Sequence, residues 1–203
     1  MGRGGIMKKK DLIRKIIEDN NGIVRVEDIT NAGVTKPYFY DYVRENNLQK
    51  VSHGIYILPD TWEDPFYLLQ LKCPQVVFSH ESALYLLGLA EREPIYCPLT
   101  VTRNYSSKYL KDSGFKIYRV AENVLNLGVI EQKTTYGNIV RTYSKERTIC
   151  DILRSKKNIE IQDFQTALKE YVKSADKDLT LLSEYAKIFH VDRLLKIYLE
   201  VLL

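Results

Sequence analysis

The sequence predicts an α+β protein in two parts, an N-terminal winged helix-turn-helix followed by a mixed α/β domain that ends in a helical bundle. Three observations carry this. Residues 8–58 read as helix, short strand, helix, tight turn, helix and then a two-strand hairpin with a glycine at its tip. Residues 61–154 alternate short β-branched or aromatic runs with helical runs. Beyond them the apolar residues keep helical spacing only, as in Leu194, Leu195, Ile197, Tyr198 and Val201.

In chain order, Lys8 to Asn20 places Leu12, Ile13, Ile16 and Ile17 on one helix face. Asn20-Asn21-Gly22 stops that helix, because Asn and Gly accept left-handed backbone. Ile23 opens a short strand and a short helix, and Gly33 turns the chain into a third helix. Thr35 is its N-cap, Pro37 sits in its first turn and Asn46-Asn47 ends it. Phe39 and Val43 should face the core with Tyr42 beside them, leaving Lys36, Tyr38, Tyr40, Asp41 and Arg44 outward. Leu48–Val51 and Ile55–Leu58 are the wing strands, joined by Ser52-His53-Gly54. Pro59 and the acidic run after it mark a break. The expected division is a tail or expression remnant at 1–6 with Met7 as the native start, a first domain at 7–60 and a second at 61–203.

In the second domain the expected elements are a helix at 65–72, a strand at 76–78, a helix at 80–87 capped by Ser79, and a strand at 99–102. A helix at 106–112 and strands at 115–120, 129–132 and 139–143 follow. Ser144 caps a helix through Arg154, and helices at 159–173, 179–189 and 192–201 finish the chain.

Net charge is +4, unevenly distributed. Residues 103–119 and 141–157 each carry a net +4, denser than the first domain. If these segments lie side by side they extend a footprint for phosphates. No apolar run is long enough for a bilayer, so no membrane partner is expected. Cys73, Cys97 and Cys150 are odd in number and far apart, which suggests reduced thiols and a cytoplasmic protein. There is no phosphate-cradling Gly-rich loop and no metal-ligand spacing, so neither cofactor nor metal is expected.

The helix-turn-helix and wing layout points to DNA. Lys36, Tyr38, Tyr40 and Arg44, with Thr35, suit phosphates, base edges and thymine methyls, while Lys50, Ser52 and His53 reach the backbone or minor groove. Arg103, Lys108, Lys111, Lys116, Arg119, Arg141 and Lys145 are the further phosphate candidates. The same module used for protein contacts alone is the bland reading. Ser79-His80-Glu81-Ser82 groups hydroxyl, imidazole and carboxylate. Successive residues at a helix start point apart, so capping is expected rather than a triad. Arg147 and Asp151 are four apart on a helix and should form an ordinary ion pair. Asp112 with Glu131 and Lys133 imitates a nuclease metal motif, and it supports the alternative of a winged-helix-guided nuclease or DNA-modifying enzyme.

Three segments together resemble the AbiEi antitoxins of the AbiE abortive-infection (type IV toxin–antitoxin) systems. They are Leu48-Gln-Lys-Val-Ser-His-Gly-Ile-Tyr56, Val77-Phe-Ser-His-Glu-Ser-Ala-Leu-Tyr-Leu-Leu-Gly-Leu89 and Tyr143-Ser-Lys-Glu-Arg-Thr-Ile-Cys-Asp-Ile-Leu153. The resemblance implies a non-enzymatic autorepressor in phage defence. Such a protein binds inverted repeats in its own promoter, one protomer on each, as a monomer in solution that is cooperative on DNA. It also implies antagonism of a nucleotidyltransferase-like toxin without a stable complex.

Overall fold

A computed structural model describes residues 8–202, so the expected tail at 1–6 lies outside the described residues. The chain divides into two compact units, residues 1–65 with 135–138, and residues 66–134 with 139–203. The first unit thus runs five residues past the break expected at 60 and takes in a distant four-residue turn.

In the first unit, α1 (Lys9–Asp19) leads into β1 (Ile23–Arg25), α2 (Val26–Asn31) and α3 (Lys36–Glu45). β2 (Gln49–Ser52) and β3 (Ile55–Ile57) form the hairpin. β3 lies between β1 and β2 with both pairings antiparallel, which is the connectivity of a winged helix-turn-helix. The β2–β3 register shifts between Lys50 and Ser52. Gly33 holds φ +83° between α2 and α3, a backbone that a side chain rarely adopts. There Val34 donates its N–H to the Ile29 carbonyl at 3.1 Å and closes α2. Ile13, Ile17, Val24, Ile29, Val34, Phe39 and Tyr42 fill the core between helices and sheet. Asn21 Nδ2 donates to Asn138 Oδ1 at 2.9 Å, and Asn138 Nδ2 donates to the buried Asp64 at 2.8 Å. This chain of amides ties the 135–138 turn into the unit.

The second unit is built on a five-stranded mixed sheet. Its strands are β4 (Val77–Phe78), β5 (Leu99–Thr102), β6 (Ile117–Val120), β7 (Val129–Lys133) and β8 (Ile139–Tyr143), in the order β6-β5-β4-β8-β7. β4 runs parallel to β8 and antiparallel to β5, while β5–β6 is parallel and β7–β8 antiparallel. The helices are α4 (Pro65–Lys72), which the division into units splits after its first residue, α5 (His80–Leu86), α6 (Lys108–Asp112), α7 (Glu122–Leu125) and α8 (Lys145–Arg154). α9 (Ile161–Lys173), α10 (Leu179–Ile188) and α11 (Asp192–Leu202) follow. The short α7 has no counterpart in the sequence reading. Four residues are too few to show an apolar period.

α8 is the hub, packed by α5, α9, α10 and α11. Ile149, Ile152 and Leu153 are buried as expected, but so are Glu146, Arg147, Thr148 and Asp151. The Arg147–Asp151 pair is therefore an interior one, at 3.0 Å with side chains 0% and 6% exposed. Arg147 Nη1 also donates to the carbonyls of Val124 and Leu127, at 3.1 and 2.8 Å. Its guanidinium lies 4.1 Å from the rings of both Tyr143 and Phe189. Gly128 lets the chain pass this arginine, since a Cβ there would stand 2.8 Å from Arg147 Cβ.

Candidate nucleic-acid interface

The outward face of α3 follows from helical geometry. Phe39 and Tyr42 are buried and Val43 half-buried, which fixes the inward direction. At about 100° per residue, Lys36, Tyr40 and Arg44 then form one stripe at i, i+4 and i+8, with Asp41 beside it. All four are exposed, Tyr40 at 40%. The Tyr40 ring leans toward Tyr56 of β3, with centroids 6.4 Å apart, so helix and wing share an aromatic seam. Burial, and after it Tyr40, push the Tyr56 hydroxyl above its usual range.

Tyr38 is not on this stripe. Two residues from Lys36, it turns about 200° away. It packs half-buried against the core of the first unit, with Lys9 Nζ 5.5 Å from its ring centroid. Thr35 occupies the N-cap position, but its hydroxyl makes no capping bond. Arg44 is paired with Asp41. Lys10 is held by Glu45 at 2.7 Å, a bond that raises its pKa. Lys50 is exposed on β2, His53 is exposed in the wing turn and Ser52 is half-buried at the register shift.

The basic residues of the second unit divide by partner. Arg103, Lys108 and Lys111 are exposed. Lys116 is half-buried and binds Glu81 at 2.9 Å and the Asn158 carbonyl at 2.8 Å. Arg119 Nη1 donates to the carbonyls of Arg103 and Tyr105, at 3.0 and 2.8 Å. Arg141 donates to the Pro74 carbonyl and to Asn126 Oδ1, both at 3.2 Å. Lys145 donates to Ser174 Oγ at 2.8 Å and Asp176 at 2.6 Å. These four spend much of their hydrogen-bonding capacity inside the unit. Composition shows their charge but not these partners.

The Ser79–His80 segment differs from the expected cap. Ser79 sits at the N-cap of α5, yet its hydroxyl makes no capping bond and accepts from Thr100 Oγ1 at 2.8 Å. His80 adopts φ +49°, which folds its ring back on its neighbour. Nδ1 lies 3.1 Å from Ser79 Oγ, Nε2 lies 3.1 Å from Ser155 Oγ, and the ring stacks on Tyr118 at 3.5 Å. Burial, then the charges of Lys116, Arg147 and Arg154, lower its pKa to about 3. Ser79 and His80 are 0% and 3% exposed. The hydroxyl and imidazole do meet, but where no substrate reaches them, so the pairing is structural.

Asp112 and the Glu131–Lys133 pair stay apart in the topology. Asp112 ends α6 between β5 and β6 at one edge of the sheet, whereas Glu131 and Lys133 lie on β7 at the other edge. Among the described residues no group of three or more His, Cys, Asp or Glu is placed to hold a metal ion. No described helix is long and apolar enough to cross a membrane.

The RV2827C protein from Mycobacterium tuberculosis, known from a crystal structure, shares the fold. The two superpose with a TM-score of 0.55 at 14% identity, over 87% of this chain and 70% of that one. No curated protein matches the chain in sequence. Residues 11–59, from α1 through the wing, match the family model described as a transcriptional regulator, AbiEi antitoxin, and this supports reading the chain as an antitoxin-type DNA-binding regulator.

Proposed function

We propose that the chain is the antitoxin of a type IV toxin–antitoxin pair in phage defence, and that it represses its own promoter by binding inverted repeats. On this reading residues 7–60 form the reading domain and residues 61–203 the antitoxin domain. α3 enters the major groove with Lys36, Tyr40 and Arg44 toward base edges and phosphates. Thr35 meets a phosphate at the helix start, and Lys50, Ser52 and His53 of the wing follow the backbone. Tyr38 supports the helix from behind. Of the second-unit candidates, Arg103, Lys108, Lys111 and Arg119 are exposed, and among the described residues the first three make no side-chain bond to a carbonyl or carboxylate. Arg119 holds the segment that carries Arg103, while Lys116, Arg141 and Lys145 are bonded to groups elsewhere in the unit.

One observation carries the reading. The stretch matched to the regulator family is the one whose third helix exposes a Lys-Tyr-Arg stripe next to a wing that carries Lys50 and His53. The protein binds as a monomer to each repeat and cooperatively to the pair. It opposes a nucleotidyltransferase-like toxin functionally, without a stable complex. The test is operator binding by the full chain with Lys36→Ala and Arg44→Ala. Each replacement should weaken specific binding by about 1–3 kcal/mol if the side chain reads a base. Unchanged operator affinity in the folded double variant would exclude this face.

A further inference from the structure

We infer that the second unit carries a binding pocket for a small phosphate ester of the nucleotide class. The pocket has a volume of about 200 Å³. Arg103, Arg119, Arg154 and His190 line it, with Val124 and Ile188 in its apolar wall. Three arginines line it from the end of β5, from β6 and from the end of α8, His190 joins them after α10, and no aspartate or glutamate is among the lining residues. Like charges brought together around a recess repel, and an anion relieves that repulsion.

The carboxylate nearest in sequence to Arg154, Asp151, is already bonded to Arg147. Arg119 is fixed by its bonds to the Arg103 and Tyr105 carbonyls, and Arg154 lies over the Phe189 ring at 5.5 Å. Two of the three guanidiniums are therefore held in place before a ligand arrives. Guanidinium is also the group whose planar fork matches phosphate oxygens.

The pocket's shape selects among phosphate sources. A duplex backbone is convex and meets protruding side chains. A recess of about 200 Å³ that mixes Arg103, Arg119 and Arg154 with Val120, Val124 and Ile188 takes a phosphate chain, while the organic half rests at its mouth. The site shares Arg103 with the proposed phosphate contacts of the second unit but no residue with α3, and Arg154 tells the two apart.

The experiment is calorimetric titration of the full chain at physiological salt. The titrants are ATP and GTP, with inorganic pyrophosphate as the bare-anion arm and a duplex lacking the operator as the polymer arm. At least one nucleotide should bind saturably at one site. Arg103→Ala and Arg154→Ala should each weaken it about tenfold, the effect of losing one charged hydrogen bond. Arg154→Lys should fall between wild type and Arg154→Ala, and operator affinity should survive in the two Arg154 variants, which touch neither α3 nor the proposed phosphate contacts of the second unit. Arg119 is left in place because it holds loop carbonyls. No saturable nucleotide binding at millimolar concentration, or equal affinity in folded alanine variants, would overturn the proposal. So would pyrophosphate binding as tightly as the nucleotides, or loss of duplex binding alone in the Arg154 variants. Loss of operator binding in the Lys36 and Arg44 variants with nucleotide binding intact bears only on the reading face.

Discussion

At the scale of single residues, Arg147 shows how far context can move a side chain from its sequence reading. Spacing alone gave a helical ion pair with Asp151. The structure buries that pair completely and adds two carbonyls and two aromatic rings. Burial holds the Asp151 carboxyl above its usual range, with Arg147 opposing the shift. Removing only the arginine strands a buried carboxylate, so Arg147→Ala should destabilise by about 3–5 kcal/mol in urea unfolding. Arg147→Met combined with Asp151→Leu should be much milder, because no charge is left unpaired. Equal losses in the two proteins would mean that packing, not charge, sets the cost. Asp41 is the second residue with a sharp expectation. Its pair with Arg44 withholds a cation from the proposed DNA face. Asp41→Asn should steepen the salt dependence of DNA binding by about one unit of log–log slope. A slope that does not move would place Arg44 away from phosphate.

At the scale of elements, the start of α5 couples stability to pH. His80 stays neutral in the fold down to about pH 3, whereas in the unfolded chain it protonates near its usual 6.5. Between those values the unfolded state holds the extra proton. The contribution is complete above pH 6.5 and falls as pH drops, by about 1.4 kcal/mol per unit. From pH 7 to pH 5 the unfolding free energy should thus fall by about 2 kcal/mol. His80→Asn tolerates the positive φ and does not titrate, so its profile over this range should be nearly flat. A variant as pH-sensitive as wild type would assign the loss to other groups. Of the elements themselves, helices with a clear apolar period were legible, and α4, β5 and β8 keep their expected limits. The cap of α5 was not, because Ser79 answers to Thr100 on a strand twenty-one residues away.

At the scale of the whole molecule, the proposed functions should separate by unit. The Lys36→Ala, Arg44→Ala chain, expressed with its toxin from promoters it does not control, should still rescue growth. Loss of rescue with a folded protein would make DNA binding part of the neutralisation, and recovery of a tight antitoxin–toxin complex would remove the type IV assignment. Lys108→Ala with Lys111→Ala, made in the full chain, should lower the salt slope of operator binding by roughly two if both meet phosphates. The full chain is needed because the first unit includes Asn138, whose amide satisfies buried Asp64. An unchanged slope would leave repression to the first unit.

The sequence by itself determined what depends on short range. It placed the three helices and the wing of the first unit through apolar period, Asn-Gly stops and the Gly33 turn. It also turned Lys36, Tyr38, Tyr40, Asp41 and Arg44 outward together, although the 100° helical step already sets Tyr38 apart from Lys36, Tyr40 and Arg44. The tertiary structure decided what depends on distant neighbours. It bound Lys116, Arg119, Arg141 and Lys145 to groups elsewhere in their unit, and joined Asn21 to Asn138. It also gathered Arg103, Arg119 and Arg154 around one pocket. A residue's charge is written in its letter, but its partner depends on which strands and helices pack together, and no local period encodes that.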